Sequence, residues 1–213
     1  MDMVSPLATI APGLESAALT VLADVDTALS ATRIRSVAGR GSRYGLVLAL
    51  ERLVRHGIVN AIPAARGNLY QLNRSHVLAP VVVAGVRARA EADSRIADAV
   101  SDLAPQPISA ALYGSVARGE ATADSDIDLL IIAADGLDPD AETWTGQVDG
   151  LERRVRSWTG NPLQAVTVTR AQLALMAAGG AGIVDEWERD VRTITGEDAR
   201  SLIRAARKDA ENS

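Results

Sequence analysis

Residues 112–132, LYGSVARGEATADSDIDLLII, constrain this chain more than any other stretch. They read as strand, tight turn, helix start, acidic loop and strand. The apolar run 110–113 is broken by Gly114-Ser115, and the run 126–132, Asp-Ile-Asp-Leu-Leu-Ile-Ile, is explained well only by a buried strand. The chemistry falls at the two junctions. Glycine at 114 lets the backbone approach a ligand with no side chain in the way, and Ser115 adds a hydroxyl beside the amides that open a helical piece over 116–118. Asp126 and Asp128 stand two apart on a strand, so their carboxylates project to one side and repel each other unless a cation lies between them. Hard oxygen ligands of this kind suit Mg²⁺, which uses one or two carboxylates and takes its other ligands from water and phosphates. Gly-Ser turns are common, and an Asp-x-Asp at the mouth of a strand is often a solvated turn. The two features together, with Arg118-Gly119 between them, point to a magnesium-triphosphate site.

The pattern G-S-x-A-R-G followed by S-D-I-D-L-L resembles the signature of the DNA polymerase β-like nucleotidyltransferase superfamily, above all its minimal branch. That resemblance implies Mg²⁺-dependent transfer of a nucleoside monophosphate from a nucleoside triphosphate to a hydroxyl on a protein, an RNA or a small molecule. It makes Asp126 and Asp128 the catalytic, metal-holding carboxylates, places Gly114 and Ser115 at the triphosphate and has Arg118 neutralise a phosphate. Family members usually carry a third carboxylate on the next strand of the sheet. Here that strand, 163–169 (LQAVTVT), offers Gln164 or Ala165, and no acid lies between Asn161 and Thr169. Glu142, Asp149 and Glu152 on the preceding helix are the acids that would have to substitute. The resemblance therefore implies nucleotide binding more directly than turnover.

Composition narrows the classes. The chain of 213 residues is 47% hydrophobic and has no cysteine, which excludes disulfides and thiolate metal sites; His56 and His76 are the only histidines. No basic leader precedes an apolar segment and no uncharged apolar window is long enough to span a bilayer, so a cytoplasmic protein with no membrane partner is expected. The net charge of −5 argues against nucleic acid until it is resolved along the chain. Residues 1–75 hold eight arginines against five acids, and the rest holds fourteen basic against twenty-two acidic residues. An asymmetry of this kind suggests two domains with different partners.

In the N-terminal third, Leu14, Ala18, Leu19 and Leu22 form the stripe of a first helix over 14–23. Ser30 or Thr32 can cap a second helix through Val37, Gly39 and Gly41 end it, and Ser42 can cap a third over 43–56. On the third helix Leu46, Leu50, Leu53 and Val54 make one apolar face. A strand over 58–62, a turn over 63–68 and a strand over 69–72 form a hairpin. The segments RLVRHGIV and RGNLYQLN resemble the recognition-helix end and wing of bacterial winged helix-turn-helix regulators. The resemblance implies that Ser42, Arg43 and Tyr44 contact bases of double-stranded DNA while Arg40, Arg52 and Arg66 of the wing neutralise phosphates. The alternatives are a protein-binding winged helix and a Tyr44 that serves packing.

An alanine-rich helix over 81–103, ended by Pro105 and Pro107, connects the halves and either pairs two subunits, giving a homodimer, or acts as a spacer. After the second strand come a helix over 142–158, the strand 163–169, helices over 170–176 and 183–192, and an amphipathic tail. The ending DVRTITG is similar to that of minimal nucleotidyltransferases. The expected fold is α+β: a winged helix-turn-helix (1–75), a connecting helix (76–104), a nucleotidyltransferase-like mixed sheet with flanking helices (105–200) and a helical tail (201–213). Three roles fit: a nucleotidyltransferase; a DNA-binding regulator whose degenerate second domain senses a nucleotide; or an antitoxin-like protein acting on a partner.

Overall fold

The computed structural model describes residues 1–65 and 67–211, and Arg66, one of the candidate phosphate contacts, lies outside them. The chain divides into two compact units, one of residues 4–89 with Asp2 and one of residues 90–213 with Met1 and Met3.

In the N-terminal unit local signals fix the starts of two helices, the second and the third. After a short 3-10 turn at Pro6–Thr9, α1 is Leu14–Ala23, α2 is Ala31–Ala38 and α3 is Arg43–Arg55. Ser30 caps α2 by accepting from the Arg33 amide at 3.2 Å, and Ser42 caps α3 by accepting from the Gly45 amide at 3.0 Å. Gly39 ends α2 in the left-handed region. A three-stranded antiparallel sheet in the order β1-β3-β2 completes the unit, with β1 at Leu29–Ser30, β2 at Val59–Ala64 and β3 at Gly67–Leu72. The hairpin is tighter than the sequence predicts, because Pro63 of β2 pairs with Asn68 of β3. As an edge strand, β2 tolerates a residue with no amide donor. Leu22, Ile34, Leu46 and Leu50 are fully buried between helices and sheet.

Helix α4, Ala79–Ser101, starts in this unit and ends in the next. No helix among the described residues is long and apolar enough to cross a membrane.

The C-terminal unit is built on a mixed sheet in the order β6-β5-β4-β7, with β4 at Ser109–Tyr113, β5 at Ile127–Ile132, β6 at Leu163–Val168 and β7 at Arg192–Gly196. Strand β5 runs antiparallel to β4 and parallel to β6. Its helices are α5 at Gly114–Arg118, α6 at Glu142–Thr159, α7 at Arg170–Ala178, α8 at Gly182–Asp190 and α9 at Ala199–Glu211. Alternation along β5 sorts its side chains onto two covered faces. Ile127, Leu129 and Ile131 pack with Trp144, Leu151 and Val155 of α6 and with Ile96 and Val100 of α4. Leu130 and Ile132 pack with Leu173, Val184, Trp187 and Ile203 of α7, α8 and α9. Burial on both faces is why this strand reads as a continuous apolar run.

Candidate functional site

Strand β4 ends at Tyr113, and Gly114 turns the chain into α5 with φ +62°. Tyr113 is the register partner of Asp128 on β5, which brings the turn and the carboxylate together. A Cβ on Gly114 would lie 2.5 Å from Asp128 Oδ2, so the carboxylate occupies the space a side chain would fill. Ser115 follows, half-buried, and its carbonyl accepts the Glu120 amide at 2.9 Å.

Asp126 lies one residue outside β5 and is exposed, where the sequence predicts a strand from 126. The reason is register: β4 pairs with β5 only as far as Asp128, and β6 begins opposite Ile127, so Asp126 has no ladder partner. Asp128 is half-buried, and burial raises its carboxyl above the usual range, with the charges of Asp126 and Glu186 adding to the rise and Arg118 offsetting it. Burial also raises the Tyr113 phenol, followed by the charge of Asp128. The Tyr113 ring stands edge-on to Trp187, with centroids 6.0 Å apart.

Arg118 is already engaged. Its guanidinium donates to Glu120 at 2.9 Å and to Asp190 at 2.5 Å, with Glu186 at 3.9 Å. The Asp190 carboxyl is held below the usual range by its hydrogen bond from Arg189 and then by that from Arg118. A phosphate approaching Arg118 must therefore share it with these carboxylates.

Glu186 is a residue that the sequence reading missed. The signal was an acid beside the apolar pair Val184 and Trp187 of α8, both buried on the Asp128 side of the sheet. Glu142, Asp149 and Glu152 stand on α6, which covers the opposite face. Gln164 is the register partner of Asp128 on β6 and is exposed. Among the described residues no group of three or more His, Asp or Glu side chains is placed to hold a metal ion. Asp126 and Asp128 are the two carboxylates here that could serve an ion completing its shell with water and phosphate.

In the N-terminal unit, Arg40 donates to Ser16 Oγ at 3.2 Å and to the Gly13 carbonyl at 3.4 Å, and Arg52 is paired with Glu15. Ser42 is occupied as a cap, whereas Arg43 and Tyr44 are exposed in the first turn of α3, Tyr44 at 73%.

The glycine turn after β4 and the Asp128 carboxylate of β5 thus stand together at one end of a mixed sheet covered on both faces. Residues 93–170 match the family model described as the nucleotidyltransferase domain, a span that holds Gly114, Asp126 and Asp128. None of the curated proteins compared matches the chain. Among solved structures the chain is similar to one described as a toxin–antitoxin with AMP-PNP, at 18% identity and TM-score 0.40, over 56% of this chain and 84% of that one. It is also similar to a mutant of the toxin–antitoxin MntA-HpeT, at 15% identity and TM-score 0.39, with coverage again 56% and 84%.

Proposed function

We propose that the protein is a Mg²⁺-dependent nucleotidyltransferase, moving a nucleoside monophosphate from a nucleoside triphosphate to a hydroxyl acceptor, with an N-terminal winged helix-turn-helix that binds double-stranded DNA. The observation that carries the reading is the Asp128 carboxylate lying against the bare face of Gly114 inside a segment that matches the nucleotidyltransferase domain. Gly114 lets the phosphates come within reach of Asp128, and Ser115 offers them a hydroxyl. Asp126 and Asp128 would hold magnesium, which when bound supplies Lewis-acid stabilisation of charge at the transferring phosphoryl group. Arg118, shared with Asp190, fixes α5 against α8 and adds positive charge beside the phosphates.

The expected result with the wild type is a rise in melting temperature of about 5–10 °C from one nucleoside triphosphate at a hundred times its dissociation constant, in the presence of Mg²⁺ only. No rise with any nucleotide would refute the site. Gln164, opposite Asp128 where the resemblance leads one to expect an acid, favours a second reading, in which the domain binds nucleotide and regulates DNA binding or a partner protein without turnover. Transfer of label from an α-labelled triphosphate separates the two: covalent label supports the enzyme, and binding without label supports the sensor.

For the N-terminal unit, the exposed Arg43 and Tyr44 favour base contact. Selection from genomic fragments is expected to retain particular sequences with an affinity that falls as salt rises, and Arg43→Ala is expected to weaken them by about tenfold or more. Retention of no fragment would count against DNA binding. A homodimer paired through α4 would set the half-site spacing.

A further inference from the structure

We propose that Asn161 is a positioning residue for the paired aspartates. It is fully buried although its side chain is polar, and its amide nitrogen is spent on one loop. Asn161 Nδ2 donates to the carbonyls of Ser125 at 2.9 Å, Thr122 at 3.2 Å and Ala123 at 3.3 Å. An amide nitrogen has two hydrogens, so three carbonyls share them and converge on one point. The next residue continues the grip: the Pro162 carbonyl accepts from the Ile127 amide at 2.8 Å. Asp126 therefore has its backbone pinned on both sides, by the Asn161 side chain before it and the Pro162 carbonyl after it.

Asn161 is itself fixed. Its amide N–H donates to Thr159 Oγ1 at 3.1 Å, and its Oδ1 accepts from the Met1 ammonium at 2.8 Å. No regular ladder holds residues 122–126, because β5 begins only at Ile127. The loop closes on itself through the Thr122 amide on Ser125 Oγ at 3.0 Å and the Ser125 amide on the Thr122 carbonyl at 3.3 Å, and one side chain, thirty-six residues away from Ser125, ties it to the chain just before β6. Aspartate at this position keeps the size but sets a carboxylate against three carbonyls, so the loop is pushed off. Fixing the loop places Asp126 relative to Asp128, and that consequence rests on the function proposed above, whereas the grip itself does not.

The test is hydrogen–deuterium exchange on the full chain for wild type, Asn161→Asp and Asn161→Ser, with Ile203→Ala in the α9 core as a variant that loosens the same unit elsewhere. The expected result is faster exchange over residues 122–127, at least about tenfold, with β4 amides unchanged. In parallel, Mn²⁺ binding followed by electron paramagnetic resonance is expected to weaken by about 10–100-fold in both Asn161 variants and to stay unchanged in Ile203→Ala. Unaltered exchange over 122–127, or a rise spread evenly over the sheet as in Ile203→Ala, would overturn the proposal. A wild type that binds no Mn²⁺ would count against the proposed function, and the exchange pattern would still decide the role of Asn161.

Discussion

In the Asp128→Asn variant the ligand-free protein is expected to melt above the wild type, while the Mg²⁺-dependent stabilisation by nucleoside triphosphate disappears. The two effects have one cause. The Asp128 carboxyl is raised above its ordinary range by burial and by the neighbouring charges of Asp126 and Glu186. A carboxyl raised in the folded state contributes stability that is fully present below its unfolded pKa and is lost as pH rises through the folded value. At neutral pH the folded wild type therefore carries the cost of an ionised, half-buried and repelled carboxylate. Asparagine has nearly the same shape and no charge, so that cost is removed. The same charge is what a cation would be held by, so the variant is expected to lose the nucleotide-dependent rise of about 5–10 °C. As pH falls below the carboxylate range Asp128 becomes neutral, and the gap between the ligand-free proteins should close. Melting curves from pH 3 to pH 8, with and without nucleotide and Mg²⁺, check each part. A variant that melts below wild type at neutral pH would show that Asp128 is a structural acceptor, and a variant that keeps the nucleotide shift would place the metal elsewhere.

What the sequence made legible in this chain was local, and what it hid was long-range. The Gly114 turn, the apolar course of β5 and the caps Ser30 and Ser42 are written within a few residues of where they act, through glycine conformation, burial on both faces and side-chain oxygens near free amides. The start of β5 was misread by one residue, because where a strand begins depends on where its neighbours stop, and β6 first pairs at Ile127. The sequence offers Arg118 as a phosphate ligand but not its partner Asp190, which the fold brings to it from seventy-two residues away. The sequence offers Arg40 and Arg52 as phosphate contacts but not Gly13, Ser16 and Glu15, which the fold sets against them. The acids of α6 are near Asp128 in sequence and on the wrong face of the sheet, whereas Glu186 is distant in sequence and on the right one. Face, more than distance along the chain, decides which charges a strand residue feels.

Gly114→Ala is expected to abolish nucleotide binding while leaving a folded protein, and the reason lies in two separable costs. The first is conformational: φ of +62° puts an L-residue in the left-handed region, at roughly 1–2 kcal/mol. The second is steric: the new methyl would lie 2.5 Å from Asp128 Oδ2. Oδ2 is the far end of a side chain, so it can rotate away and the backbone need not move. The fold then survives with a modest loss, but the carboxylate leaves the position from which it would meet a phosphate-bound cation. Gly39→Ala separates the two costs, because Gly39 has φ +66° and open space where its Cβ would go. Both variants should lower the melting temperature by a similar few degrees, about 2–4 °C per kcal/mol lost. Only Gly114→Ala should lose the Mg²⁺-dependent nucleotide shift. If it retains that shift at wild-type nucleotide concentration, the bare face of Gly114 serves the turn alone, and the reading of the site as a phosphate approach is wrong. If both variants lose the shift together, the effect is general destabilisation and not the displaced carboxylate.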